Sequence, residues 1–166
     1  MDAHRRAHRT GRRSGYSRAM PNARGATPEL GTLVGVVAVG AALGGEDLRL
    51  VVPSLERYAE GFLVHCQLRY RAAGPDDHRF PELVFDAADD RGNEYGCWAG
   101  GGYGGGGSAE RIWRRDYVFQ PALDAGAREL RLRVAQVEWR RHDPASNRLV
   151  ADETRPVDWL LTVPLV

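Results

Sequence analysis

Apolar and polar residues alternate in twos along most of this chain. In Asp47–Val52, Leu48, Leu50 and Val52 alternate with Asp47, Arg49 and Val51, the period of a half-buried β-strand. Pro53 cannot donate to a ladder and is expected to interrupt it, after which Leu55–Tyr58 leads through Gly61 into the next strand. There Phe62, Val64, Cys66, Leu68 and Tyr70 take one face, and Leu63, His65, Gln67, Arg69 and Arg71 the other. Unbroken alternation over ten positions marks Phe62–Arg71 as a central strand. Residues 73–80 form a loop, and Pro81 marks the entry to a strand whose buried face is Leu83, Phe85 and Ala87.

Asp89-Asp90-Arg91-Gly92-Asn93 is turn chemistry, because Gly92 and Asn93 tolerate positive φ. Tyr95–Trp98 resumes the strand and gives way to a glycine run, Ala99–Ser108. Each glycine inside a helix costs about 1 kcal/mol against alanine, so that state is excluded and a glycine-rich loop is predicted. Trp113, Arg115, Tyr117 and Phe119 alternate in the strand that follows, and residues 121–127 turn the chain. Leu130, Leu132 and Val134 share a face while Val137 and Trp139 fall on the opposite parity, which a bulge around Ala135–Gln136 would repair. After a polar loop over residues 142–152, Val157, Trp159, Leu161, Val163 and Leu165 close the chain as a strand. Seven to nine short strands with turn signals between them, and no helical period, predict an antiparallel β-sandwich over residues 29–166.

Ahead of that domain, residues 1–28 hold almost no large apolar side chain and are expected to be disordered. Charge separates the two parts: seven Arg and one acid before residue 29, sixteen Arg and twenty-one acids after it, giving +6 and −5. The Arg-rich tail could attract phosphates, but the negative domain argues against a nucleic-acid partner. All 23 basic residues are Arg and none is Lys, read as the coding bias of a GC-rich genome. The apolar stretch Gly31–Gly45 after a basic segment has the outline of a signal peptide. It falls short of the roughly 20 residues that span a bilayer, and Gly35 and Gly40 break it; its Val-rich centre suits a strand. A cytoplasmic location is therefore expected, with export or membrane association through residues 31–45 as the alternative.

From about Gly31 onward the pattern resembles the uncharacterised immunoglobulin-like β-sandwich proteins of GC-rich, actinobacterial-type bacteria. The resemblance is carried by Leu55-Glu56-Arg57-Tyr58 with Gly61-Phe62, by Asp89 to Tyr95, by the Trp113–Phe119 strand ending in Pro121, and by Leu130-x-Leu132-x-Val134. It implies the fold and brings no catalytic residue with it. Antibody-type domains differ: Cys66 and Cys97 are only thirty-one residues apart with no Trp between them. Free thiols are favoured over one bridge, because a core of this size needs no staple.

No motif for catalysis or for a cofactor emerges. The glycines lead into a strand and not a helix N-terminus, and no G-x-S-x-G elbow or paired Cys/His spacing is present. Asp86, Asp89, Asp90, Asn93 and Glu94 could offer oxygens to a hard cation, but the spacing is not that of an EF-hand and suits a plain turn; Asp76-Asp77-His78 is weaker still. An enzyme would need a site assembled from distant residues such as His65, His142 and Asp143. The expected function is non-enzymatic binding of a protein partner, with no cofactor and no metal; an envelope-associated structural domain is the second reading. The candidate binding residues are Tyr95, Trp98 and Tyr103 with Arg111, Arg114 and Arg115, since Tyr, Trp and Arg dominate interface hot spots. The competing reading buries Tyr95 and Trp98 as core aromatics.

Overall fold

The alternating segments become eight antiparallel strands, with no helix among the described residues. The computed structural model describes residues 26–106 and 109–165, so the expectation of disorder over residues 1–28 lies outside them except at residues 26–28, which form no strand. The strands are β1 (Leu33–Gly44), β2 (Leu48–Tyr58), β3 (Phe62–Arg71), β4 (Phe80–Asp89), β5 (Glu94–Gly106), β6 (Glu110–Gln120), β7 (Glu129–Asp143) and β8 (Arg148–Pro164). Their spatial order is β1-β2-β3-β6-β5-β4-β7-β8. The β4–β5 link in that order rests on two residue pairs, Ala87 with Tyr95 and Ala88 with Glu94. At this thin link the curled eight-stranded sheet falls into a five-stranded group, β1-β2-β3-β6-β5, and a three-stranded group, β4-β7-β8. Gly31–Gly45 is strand and turn, and no helix long and apolar enough to cross a membrane occurs among the described residues.

The inward faces follow the sequence parity. Phe62 stacks on Phe119 at 4.8 Å and meets Tyr95 edge-on at 5.1 Å, while Phe85 from the smaller group packs against Tyr117 and Phe119. One apolar cluster thus draws on both groups of strands. Cys66 and Cys97 are free thiols inside it, and burial pushes both pKa values up, which keeps them protonated and unreactive.

Of three local expectations, two hold and one changes. Pro53 interrupts the ladder as expected, since it is paired in neither register and the pairing slips on both sides of β2 there, although the strand itself continues to Tyr58. The bulge expected at Ala135–Gln136 is present, since Val84 faces Gln136 while Phe85 faces Val134. The polar segment 142–152 is mostly ladder and not loop, because β7 and β8 continue to a short turn with Asn147 at φ 53°.

The largest correction concerns the glycine run, which is strand as far as Gly106 and not a loop. Gly102, Tyr103, Gly104, Gly105 and Gly106 stand opposite Arg115, Arg114, Trp113, Ile112 and Arg111 of β6. The reason lies on β6: the Trp113 indole leans across the ladder and occupies the space a side chain on Gly104 would need, with an added Cβ only 2.3 Å from Trp113 Cε3. Poor intrinsic strand propensity is offset by an aromatic ring packing on the bare backbone, the pairing known as aromatic rescue of glycine.

Candidate functional site

The strand pairing splits the six candidate residues between interior and surface. Tyr95 is buried, and its hydroxyl donates to Asp89 Oδ2 at 2.7 Å. Burial, then the adjoining Asp89 carboxylate, pushes its pKa up to about 12. Trp98 sits half-buried on the outer face opposite Val118, its ring folded over Gly96. Arg111 donates to the carbonyls of Asp77 and Pro75 and so pins the 73–79 loop. Arg115 turns inward to Glu82, 3.6 Å from Oε1. Only Tyr103 and Arg114 form an exposed pair: Tyr103 is 66% exposed, and the Arg114 guanidinium lies over its ring at 5.7 Å.

That pair belongs to a longer row that sequence reading missed. Arg114 faces Gln67 in the β3–β6 ladder, and Ile112, two residues earlier, faces Arg69. Arg69 and Arg114 are therefore diagonal neighbours on one face. Arg69 in turn stands directly opposite Arg49 of β2. Because Leu48, Leu50, Leu68 and Tyr70 point into the core, Arg49 and Arg69 point out, and both are exposed. Like charges directly opposite each other weaken a sheet. No carboxylate of the described residues lies within ion-pair distance of Arg49, Arg69 or Arg114, although Arg71 reaches Asp47 and Asp116 is engaged by His65. An open recess of about 750 Å³ borders Arg49, Arg69 and Arg71, with Glu46, Asp47 and Glu110 also on its wall. The only strand-spacing signal for this row was the polar parity of Arg49 and of Gln67-x-Arg69-x-Arg71.

Beside the row lies a bridge across three strands. His65 Nδ1 is 2.8 Å from Asp116 Oδ1 on β6, and His65 Nε2 is 3.1 Å from Glu56 Oε1 on β2. Both partners are acceptors, so both ring nitrogens are satisfied only when each carries a proton. Burial acts to lower the imidazole pKa, but the two carboxylates outweigh it and the net shift is upward. Tyr58 donates to Glu56 Oε2 at 2.6 Å, and that bond first, then His65, lowers the Glu56 pKa. The sign follows from linkage: a raised histidine pKa adds stability that is complete below the unfolded value of 6.5 and is lost as pH rises through the folded value. Urea unfolding from pH 5.5 to 8.5 should show wild type losing stability relative to His65→Asn. The group is about one-third exposed, so the difference should be about 1 kcal/mol or less. Parallel pH profiles would show that the bridge does not titrate with folding.

His142 lies far along the other group of strands, opposite Leu149 in the β7–β8 hairpin, and does not join His65. Among the described residues no group of three His, Cys, Asp or Glu side chains is placed to hold a metal ion. Asp89 accepts bonds from the Arg91 and Asn93 amides, the Asn93 side chain and Tyr95, and Asp86 pairs with Arg133 at 3.0 Å. Although burial opposes it, those donors lower the Asp89 pKa to about 2. Asp77 is likewise committed to Ala73 and Arg79, chiefly through the Arg79 side chain, which holds its pKa well below the usual range.

No protein-family model matches the chain, and no curated protein sequence does. Among solved structures it is similar to one described as the crystal structure of the conserved domain protein from Bacillus anthracis, with a TM-score of 0.59 and 15% sequence identity. The match covers 80% of this chain and 49% of that one, so the chain spans about half the length of that structure. At this identity the likeness concerns the fold.

Proposed function

We propose that this protein is a non-enzymatic binding module whose outer β2-β3-β6-β5 face docks an acidic segment of a protein partner. One observation carries the reading: Arg49, Arg69 and Arg114 line up across three adjacent strands without a carboxylate, ending on the exposed Tyr103. A row of like charges costs stability and is useful only when an anion neutralises it. Guanidinium groups bind carboxylates through paired N–H donors, and the Tyr103 ring adds apolar contact at little entropic cost. Both are carried on strands and not on a mobile loop, so less ordering is lost on docking.

The immunoglobulin-like sandwich is part of the same proposal. Strands β2 to β8, taken in chain order as A to G, give one sheet A-B-E-D (β2-β3-β6-β5) and one sheet C-F-G (β4-β7-β8), the constant-type arrangement. β1 is then an added edge strand beside A. Such sandwiches commonly present binding residues on a rigid scaffold.

The test is fluorescence anisotropy with a labelled peptide of alternating Glu, Asp and apolar residues, at 50 mM and 200 mM salt. Wild type should bind and weaken at higher salt. Arg69→Glu/Arg114→Glu should reduce affinity at least tenfold and Tyr103→Ser several-fold, none with a lowered melting temperature, since these side chains are exposed and the charge reversal relieves the Arg49–Arg69 repulsion. Equal binding by wild type and the charge-reversed variant would overturn the proposal, as would failure of wild type to bind.

A further inference from the structure

The Glu56–His65–Asp116 bridge and the arginine row share one face of the sheet. On β3 the outward positions after His65 are Gln67 and Arg69, and on β6 Arg114 is the outward position before Asp116. Side chains two residues apart on a strand point the same way, so Arg114 and Asp116 start about 7 Å apart. Facing His65 are Glu56 of β2, with Tyr58 bonded to it, and Asp116 of β6, with Arg114 next along that strand. β1, beyond β2, carries no charge, and β5, beyond β6, brings only Trp98, Ala99 and glycines opposite this stretch. The two carboxylates are held unequally. Glu56 Oε2 also accepts from Tyr58 at 2.6 Å. The Asp116 side chain is 43% exposed, and among the described residues His65 is its one hydrogen-bond and ion-pair partner.

We propose that His65 gates the docking face: its imidazolium holds Asp116 away from Arg114, and loss of the proton hands Asp116 to Arg114, partly neutralising the row that an acidic partner needs. The consequence for binding rests on the docking reading above, whereas the hand-over belongs to the unliganded chain. An imidazolium donates to both carboxylates, but a neutral imidazole has one N–H and serves only one. Glu56 then still has Tyr58, while Asp116 has no second donor, so Asp116 is the one released. The cation waiting two residues away, Arg114, has no carboxylate of its own and lies over the Tyr103 ring. With the proton, two carboxylates and one imidazolium sum to −1; without it the same three groups carry −2. Burial works against the proton, but the two carboxylates outweigh it, so His65 titrates above its ordinary 6.5. The row is therefore open to an acidic partner below that point and partly closed above it.

The experiment has two arms on the full chain. In the first, NMR follows the His65 ring and the Arg114 Nε and Cζ signals of the unliganded protein from pH 5.5 to 8.5. The Arg114 signals should move with the His65 midpoint, and should stay still in His65→Asn. In the second, the labelled acidic peptide is titrated at 50 mM salt across the same range. Wild type should bind about two- to fivefold more tightly at pH 5.5 than at pH 8.5, the effect of one unit charge across a hydrated face. His65→Asn should lose that dependence. The peptide's carboxylates and the guanidinium groups do not titrate in this range. The other four histidines are common to both chains, so the difference between them isolates His65. Asp116→Asn at pH 8.5 leaves the cluster at −1, as in wild type at pH 5.5, and should bind about as tightly. Arg114 signals that ignore His65 would overturn the hand-over, as would equal pH dependence in wild type and His65→Asn. A peptide bound at neither pH, with Arg114 still following His65, would overturn the docking reading and leave the hand-over standing.

Discussion

Replacing Glu82 with Ala should destabilise the protein by about 3–5 kcal/mol, the cost of removing one partner from a buried ion pair. Glu82 is 3% exposed. On β4 it shares a face with Phe80 and Val84, alternating with the core residues Leu83, Phe85 and Ala87. β6 supplies what meets that face: Phe80 stacks on Trp113 at 4.7 Å, and Glu82 Oε1 lies 3.6 Å from Arg115. Glu82 Oε2 lies 3.0 Å from Arg140 Nε of β7, so one carboxylate joins both groups of strands. The two arginines are not equally dependent on it. Arg140 has a second acid, Glu138, at 2.6 Å, whereas Arg115 has no other carboxylate within ion-pair distance among the described residues. Its Nε is buried without a hydrogen-bond partner, so its side chain is already incompletely satisfied.

Glu82→Ala therefore strands Arg115 as a charge in a dry site. Removing both members together should recover much of the loss, because apolar replacements of a buried ion pair are often neutral. Urea unfolding of Glu82→Ala, Arg115→Met and Glu82→Leu/Arg115→Met, analysed as a double-mutant cycle, checks this. A single-variant loss under about 1 kcal/mol, or strictly additive losses, would show that water already screens the pair.

Period-two reading located this fold well wherever both faces of a strand differ in polarity. Phe62–Arg71 is the clearest case, and the parity switch at Ala135–Gln136 even located a bulge. It failed where the deciding group sits on another strand. Gly102 and Gly104 show no alternation of their own, and what holds them extended is Trp113 across the ladder. Arg115 carried the parity of a core position, but nothing local says that its carboxylate is Glu82, thirty-three residues earlier and buried. For the site, Tyr103 and Arg114 were legible as an aromatic beside a cation. Arg49 and Arg69 were not, because a row across strands exists only once register is fixed. Tyr95 shows the converse: its residue type suggested an interface, and the Asp89 carboxylate, six residues earlier across the β4–β5 turn, placed it inside.

Gly104→Ala should destabilise by about 2–3 kcal/mol while Gly105→Ala, one residue on, should be neutral or stabilising. Loop glycines would all tolerate alanine alike, so the contrast tests whether this run is a packed strand. A methyl on Gly104 would stand 2.3 Å from Trp113 Cε3 and 2.9 Å from Cζ3, against 3.3 Å from the Ile112 carbonyl. The indole cannot swing away freely, because its other face stacks on Phe80 with the rings 24° from parallel. Gly105 has no atom within 4 Å of the same added carbon, and neither residue has positive φ. Alanine there only narrows the unfolded ensemble, a gain of about 0.4–1 kcal/mol where the native backbone accepts it. Trp113→Ala supplies the control. In that background Gly104→Ala should lose most of its cost, since the atoms it collides with are gone, and the coupling should reach about 1–3 kcal/mol. Equal thermal shifts for the two glycine variants, or a Gly104→Ala cost that survives Trp113→Ala, would assign the extended conformation of this run to something other than the Trp113 ring.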